Sequence, residues 1–240
     1  MALPFLTSTT YQSQVWPLFR LEHRDSHIIA YGGGALECLS SAVYNGGLRT
    51  ADSFMNWQVQ PDYDCSDPVG DLKRTLAASG YPASTVGLIT AAPVEHASVL
   101  EGSGDRFEWI CCTTLGLGGA ARGGQKRNVY PSYIPGTINT MLFIRGRVSQ
   151  AALVNLVITA AEAKAAALAD MNVNDKELGL PATGTPTDAI IIGASQTGPV
   201  PEIHEYTGLA TTLGNAVSCA VYDSICEAAA DYFKRLQVEV

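Results

Sequence analysis

One carboxylate, Asp188, stands where a buried strand is predicted to begin. It follows the threonine-rich segment 181–187 and opens the apolar run AIIIGA. Threonine hydroxyls can donate hydrogen bonds to this carboxylate, which can stabilise the turn by accepting from nearby backbone amides as well. A carboxylate held at a strand end, where loops form sites, can also act as a general base on water. We expect this catalytic role for Asp188, with substrate bound by the hydroxyls of Thr183, Thr185 and Thr187.

A second candidate, Lys164, lies on the apolar face of a predicted helix. Plotted at the helical period, the helix that follows Ser149 carries one apolar stripe with Lys164 near its centre. The stripe is formed by Leu153, Val157, Ala160, Ala161, Leu168 and Met171. Either the lysine stem lies along this stripe and its ammonium reaches solvent, or the ammonium pairs with a carboxylate or stabilises an oxyanion. Glu162 falls on the opposite face. Solvent exposure is the simpler interpretation there, and we keep Glu162 as an independent catalytic candidate.

Asn139 occupies in GTINTML the place that Asp188 occupies in its own segment, just before an apolar run. An amide at this position can donate to a carbonyl oxygen and accept from an amine, so Asn139 is a further catalytic candidate. Three more polar residues lie in or beside predicted strands, and we expect them to bind substrate: Thr137, Asn56 and Thr90.

Other kinds of site find little support in the residue spacing. The four histidines do not match a zinc-binding motif such as H-E-x-x-H, so no metal site is predicted. No G-x-S-x-G elbow is present, and a nucleophile would have to be a threonine or cysteine in a loop. The glycine-rich segment 116–124 is too irregular for a phosphate-binding loop. It is either a connector or, with Trp57, a wall or lid over a substrate.

Composition predicts a packed globular protein. Hydrophobic residues make up 47% of the 240 residues and charged residues 16%, which favours one domain over 1–240 rather than a disordered chain. The net charge is −8, and the one dense basic cluster, Arg122, Lys126 and Arg127, is typical of a solvated loop. We therefore expect no nucleic-acid partner.

The cysteines and the amino-terminal segment indicate the compartment. Six cysteines contain no C-x-x-C pair, which predicts free thiols. The first residues lack the basic and apolar regions of a secretion signal, and no run reaches the roughly 18 consecutive apolar residues of a membrane span. These features predict a cytoplasmic protein that does not enter a membrane.

Strands dominate the first part of the chain, and strand–helix units follow. Turns are predicted at 32–34 and 45–47, because both segments are rich in glycine. Helices are predicted after Asp67, after Ser149 and over the carboxyl-terminal segment. This order predicts an α+β fold, with a layered, mostly antiparallel sheet and long helices packed on it.

Several segments, in order, resemble the adenosylcobinamide amidohydrolase (CbiZ) family. They are LSSAVYNGGL with NWQVQPDYD, VGLITAA, PGTINTML, AAEAKAAAL, PATGTPTDAIII, and the closing YTGLATTLG and AVYDSICEA. The likeness runs from about residue 28 to the last helix. Some members carry a Thr-His-Thr triplet near TGLATTLG, where this chain has Leu209, Ala210 and Thr211, so the chain either does without that histidine or uses His204 in its place.

The resemblance implies a reaction. The expected substrate is adenosylcobinamide, whose aminopropanol amide would be hydrolysed to adenosylcobyric acid and 1-amino-2-propanol, in the salvage of vitamin B12 precursors. The cobalt would arrive in the corrinoid substrate, so no protein-held metal or cofactor is implied. Two other functions stay open: a corrinoid-binding protein without catalysis, and a hydrolase of another amide. A homo-oligomer is also open, since the long helices can lie on the sheet or at a dimer interface.

Overall fold

The computed structural model describes residues 3–104, 106–126, 136–198 and 201–238. Three α-helices are found in these ranges: α1 (Pro68–Ala78), α2 (Gln150–Asp170) and α3 (Thr212–Val238). The strands are β1 (Thr10–Gln12), β2 (Arg20–Arg24), β3 (His27–Ser40), β4 (Gly47–Gln58), β5 (Val86–Thr90), β6 (Ser98–Ser103), β7 (Glu108–Leu115), β8 (Ile138–Arg145), β9 (Arg147–Val148), β10 (Ala189–Ala194) and β11 (Ile203–His204).

Nine strands of the described chain form one sheet, and the long strand β3 joins its two halves. Along one edge β3 pairs with β4, which is followed by β5. Along its other edge, its first half pairs with β2 and its second half with β10. The order then continues through β8, β7 and β6. Within this sheet all pairs are antiparallel except β10 with β8 and β4 with β5, which confirms a mostly antiparallel α+β sheet.

The sheet curls so that its halves face each other across an inner core. Along β8, alternate residues point to opposite sides: Met141 and Phe143 enter the inner core, while Leu142 and Ile144 pack under α2 and α3. Strands β4 and β5 line the other wall of the inner core, and their outer face packs on α1. The layers are therefore α2 and α3, one sheet half, the inner core, the second sheet half, and α1.

The helix starts follow the sequence closely. The Asp67 carboxylate accepts from Gly70 N at 3.0 Å and caps α1, with Pro68 in the first turn. The Ser149 hydroxyl accepts from Ala152 N at 3.2 Å and caps α2, which ends at Asp170. Both caps confirm the predicted helices.

The predicted turn at 32–34 is wrong. The strand β3 continues through these glycines, and its register against β4 shifts between Tyr31 and Leu36. Gly33 adopts a φ of 71°, and a Cβ there would lie 2.4 Å from Leu18 Cβ. The positive φ produces an irregularity that bends the strand without reversing it, and this bend carries β3 from one sheet half to the other.

The apolar stripe of α2 is rotated from the predicted one. Its buried face includes Thr159, Ala163 and Ala167, while Ala161 is exposed and Lys164 lies at the edge. The helix is apolar almost all round, so its periodicity defines the buried face only weakly. By length and composition α2 could also span a membrane; in this structure it packs on α3 and on the sheet.

Candidate active site

The neighbouring parallel strands β8 and β10 begin side by side, and their first residues gather polar groups. Ala189 aligns with Asn139 in the register of the two strands. Asp188 directly precedes β10, and its Oδ1 accepts from Ile138 N at 3.0 Å. The two segments that look alike in the sequence therefore meet at one edge of the sheet.

Four donors surround the Asp188 carboxylate. Oδ1 accepts from Ile138 N and from the Thr185 hydroxyl, and Oδ2 accepts from Thr185 N at 3.0 Å and from Lys164 Nζ. A carboxylate offers about four lone-pair positions, so this one is fully occupied. Asp188 can accept a proton from another molecule only after one of these donors moves away.

Lys164 forms an ion pair with Asp188 that is largely shielded from water. The side chains keep only 19% and 14% of their accessible surface, respectively. Of the two interpretations of Lys164 from sequence, the structure shows the pairing with a carboxylate. The ammonium keeps further donor capacity, because a lysine carries three N–H groups.

Gly184 makes this close approach possible. A Cβ on this residue would lie 2.3 Å from Asp188 Oδ2 and 3.0 Å from Lys164 Nζ. The neighbouring backbone is tied to the glycine-rich loop, since Ala121 N donates to Gly184 O at 2.8 Å and Gly123 N donates to the Thr183 hydroxyl at 2.9 Å. Sequence reasoning missed Gly184, although its place between two threonines of the polar segment was a visible signal.

Two cavities open beside the ion pair. The larger, of about 420 Å³, is lined by Lys164 and Asp188 together with Arg122, Thr183 and Thr185. We call it the outer cavity. The smaller, of about 80 Å³, lies between α2 and the start of β10, and Lys164 and Asp188 line it as well. The loop predicted as a connector or a wall, 116–124, contributes to the outer cavity through 121–123.

Asn139 points to the other face of the sheet. Its Nδ2 donates to Asn56 Oδ1 and to Ile89 O, both at 2.9 Å, and Asn56 Nδ2 donates to the Thr114 hydroxyl at 2.8 Å. Asn56 and Asn139 are each 1% exposed. These amides tie β8 and β7 to β4 and β5, so the structure gives them a role in holding the sheet halves together, and the expected direct contact with substrate is not supported by their burial.

A third cavity, of about 150 Å³, opens near this tie, and we call it the interlayer cavity. Thr90, Thr137 and Thr187 supply hydroxyl groups to its lining, and Val43 and Ile89 supply apolar walls. The Thr137 hydroxyl donates to Asn139 Oδ1 at 3.4 Å, and the Thr90 hydroxyl accepts from Ala92 N at 3.0 Å. Three of the expected substrate-binding threonines therefore share one hollow.

The sequence-predicted residues thus fall into two groups on opposite faces of one sheet edge. The first group is Lys164, Asp188, Thr183 and Thr185; the second is Asn56, Asn139, Thr90, Thr137 and Thr187. Our expectation of a single hollow shared by Asp188 and Asn139 does not hold for these three cavities, since none of them is lined by both.

Three other candidates lie elsewhere. Glu162 is exposed on α2 and lines none of the three cavities. Trp57 packs on Tyr63 in the cluster under α1, with ring centroids 5.8 Å apart, and is no wall of these cavities. His204 pairs with Val148 beside the start of α2. Lys164 lies 14 residues beyond Gln150, the first residue of α2, which is about 21 Å along the helix at 1.5 Å per residue, so His204 is remote from the ion pair.

Three buried cysteines are poor candidates for a nucleophile. Burial raises the pKa of the Cys111 and Cys112 thiols and raises that of Cys38 to about 11, so these cysteines stay protonated and unreactive at neutral pH. In the described part of the chain, no three His, Cys, Asp or Glu side chains are arranged to hold a metal ion.

The basic cluster noted in the sequence is described only in part, because Arg127 lies outside the described residues.

Comparisons with known proteins agree on one family. The model of the CbiZ family, described as adenosylcobinamide amidohydrolase, matches residues 16–237. An adenosylcobinamide amidohydrolase of Methanosarcina mazei is 28% identical over 198 residues, which cover 80% of this chain and 89% of that protein. Another of the same name, from Halobacterium salinarum, is 29% identical over 193 residues, 77% of each chain.

Among solved structures, the PH0078 protein of Pyrococcus horikoshii superposes with a TM-score of 0.40 and 8% identity, over 87% of this chain and 77% of that one. The family match extends over all of the strands and helices that build the site, from β2 to the last turns of α3. The chain therefore belongs to the adenosylcobinamide amidohydrolase family.

Proposed function

We propose that this protein hydrolyses the amide that joins the aminopropanol arm of adenosylcobinamide to its corrin ring. The products would be adenosylcobyric acid and 1-amino-2-propanol, and the reaction would serve the salvage of vitamin B12 precursors in the cytoplasm. The observation that carries this proposal is the family match over residues 16–237. The names of the two relatives support the same substrate.

Hydrolysis of an amide needs a base, a group that stabilises the oxyanion, and an acid for the departing amine. Asp188 is the proposed base, and Lys164 is the proposed donor to the oxyanion. The two already touch, and both line the outer cavity. A largely dry ion pair suits this chemistry, because a charge stabilises a developing oxyanion more strongly where water is excluded.

Substrate size decides how the cavities are used. Sites for drug-sized ligands typically measure about 300–1,000 Å³. The interlayer cavity, of about 150 Å³, is smaller and therefore holds only an edge of a corrin ring, with Thr90, Thr137 and Thr187 facing the amide fringe of that ring. The outer cavity, of about 420 Å³, then receives the aminopropanol arm beside Lys164.

The cobalt enters with the substrate in this proposal, so the reaction uses no metal or cofactor held by the protein. The other partners we propose are limited to a second copy of the chain, since a homo-oligomer is still open. No nucleic acid and no membrane are part of the proposed function.

The test is release of 1-amino-2-propanol from adenosylcobinamide, followed by mass spectrometry together with the corrinoid product. The variants are Lys164→Met and Asp188→Asn, with Lys176→Met as the matched control, because Lys176 is exposed in the turn after α2. We expect kcat to fall by at least about 100-fold in both variants, because about 100-fold is the usual cost of removing one oxyanion donor and the lower end of what a general base contributes. Melting temperatures show whether each variant is folded.

Each alternative function gives a different result. A corrinoid-binding protein without catalysis would retain adenosylcobinamide on gel filtration and release no aminopropanol. A hydrolase of another amide would neither retain nor cleave it. Turnover by Lys164→Met or Asp188→Asn at the wild-type rate would remove that residue from the mechanism while leaving the substrate assignment intact.

A further inference from the structure

The four donors on Asp188 differ in what they become when they lose a proton. Two are backbone amides, of Ile138 and Thr185, and they do not ionise in this chemistry. The third is the Lys164 ammonium and the fourth is the Thr185 hydroxyl. Only the last two can yield a nucleophile.

Of these two, the hydroxyl is the one whose product can be hydrolysed. Acyl transfer to the Lys164 amine would form a new amide, as resistant to water as the substrate itself. Acyl transfer to the Thr185 oxygen would form an ester, which is hydrolysed far more readily. The Thr185 hydroxyl already donates to Asp188 Oδ1, and Thr185 lines the outer cavity with Lys164 and Asp188.

The occupancy of Asp188 favours the same residue over direct attack by water. A water molecule reaches a lone pair of this carboxylate only if one of its four donors leaves, because all positions are filled. Thr185 needs no such displacement. A weak hydroxyl nucleophile is activated by a base to which it donates a hydrogen bond, where a third group orients that base; here Lys164 is the third group.

We infer that Thr185 is the nucleophile and that the reaction passes through an ester between its Oγ1 and the corrinoid acyl group. This inference rests on the proposed amidohydrolase function. In the first half, Oγ1 bonds to the amide carbon, its proton passes to Asp188, and Lys164 stabilises the oxyanion. The C–N bond then breaks, and the amine leaves with the proton from Asp188.

In the second half, water adds to the ester carbon and gives a proton to Asp188. The C–Oγ1 bond breaks, the proton returns to Thr185, and the corrinoid carboxylic acid is released. One amide and one water give one acid and one amine, and the protein ends as it began. Gly184 keeps the space between Lys164 and Asp188 free of a side chain, so the ammonium stays against the base through both halves.

The experiment compares wild-type protein with Thr185→Ser, Thr185→Val and Thr50→Val, using adenosylcobinamide with and without hydroxylamine. Thr50→Val is the matched control, since Thr50 is an exposed threonine of β4 that lines none of the three cavities. We expect Thr185→Val to lose at least about 1,000-fold in kcat and Thr185→Ser to recover much of that loss. Visible absorption of the corrinoid measures whether each variant still binds.

Hydroxylamine distinguishes the two routes. We expect it to convert part of the product to the corrinoid hydroxamate with wild-type protein, Thr185→Ser and Thr50→Val, and to give no hydroxamate with Thr185→Val. Wild-type turnover without hydroxamate, or Thr185→Val turnover within ten-fold of wild type, would overturn the nucleophile and leave the proposed function standing. Failure of the wild-type protein to cleave adenosylcobinamide would instead refute the proposed function. If Thr185→Val does not bind the corrinoid, Thr185→Ser becomes the test. Hydroxamate formed by that variant supports the ester intermediate, and its absence overturns it.

Discussion

Replacing Gly184 by alanine tests whether the contact between Lys164 and Asp188 matters. The new Cβ would lie 2.3 Å from Asp188 Oδ2, and ordinary contact begins at 3.4 Å, so the carboxylate must move by about 1.1 Å. A displacement of about 1 Å in a catalytic group can cost on the order of 100-fold in rate. We therefore expect kcat of Gly184→Ala to fall about 100-fold, with KM much less changed.

Gly123→Ala is the matched control for this prediction. Both glycines border the outer cavity and neither has a positive φ, so alanine fits the backbone at both positions. A Cβ on Gly123 would meet Thr183 Oγ1 at 3.4 Å, an ordinary contact. This variant should lose far less activity than Gly184→Ala.

The assay is steady-state release of 1-amino-2-propanol, with the melting temperature measured by circular dichroism for each variant. A loss of kcat in Gly184→Ala with an almost unchanged melting temperature would support the catalytic ion pair. Wild-type kcat in a folded Gly184→Ala protein would refute the reasoning, because the carboxylate cannot keep its described position beside the new methyl group.

Three further predictions concern other parts of the molecule. Asn139→Ala leaves the buried acceptors of Asn56 and Ile89 without their donor, and should lower the free energy of unfolding by about 2–4 kcal/mol in urea titrations; an unchanged midpoint would contradict the tie between the sheet halves. Cys65 and Cys219 are exposed, but only Cys65 lines the interlayer cavity. Alkylating Cys65 in a Cys219→Ser protein should raise KM, whereas alkylating Cys219 in a Cys65→Ser protein should not; equal KM values would remove substrate from that cavity. Burial lowers the pKa of His27, so the unfolded chain binds the proton more readily. Stability should fall as pH drops below about 6.5, the usual histidine pKa, and His27→Gln should flatten this dependence in unfolding titrations; identical slopes would count against it.

Features that depend on neighbouring residues were predictable from the sequence. The caps at Asp67 and Ser149 lie within three residues of the amides they accept from, so the local pattern determines them. The apolar run after Asp188 likewise predicted a buried strand. The partner of Lys164 could not be identified in this way. Pairing with a carboxylate was one of two interpretations, but the sequence did not identify that carboxylate, because folding brings Asp188 to Lys164 from 24 residues away.

The separation of Asp188 from Asn139 shows why similar motifs can diverge. Asn139 aligns with Ala189, so Asp188 lies one position earlier than the true equivalent of Asn139. Side chains alternate between the faces of a sheet, and an offset of one residue places the two groups on opposite sides. The offset is a property of the register between β8 and β10, which neither segment reveals alone.

The proposed reacting groups, Lys164, Thr185 and Asp188, occupy one short stretch of chain, whereas most walls of the interlayer cavity come from residues 43–91. In the proposed function, most of the recognition surface is thus encoded apart from the reacting groups, with Thr137 and Thr187 as the exceptions. A mutant library confined to 43–91 is then expected to change which corrinoid is accepted while bond cleavage is kept.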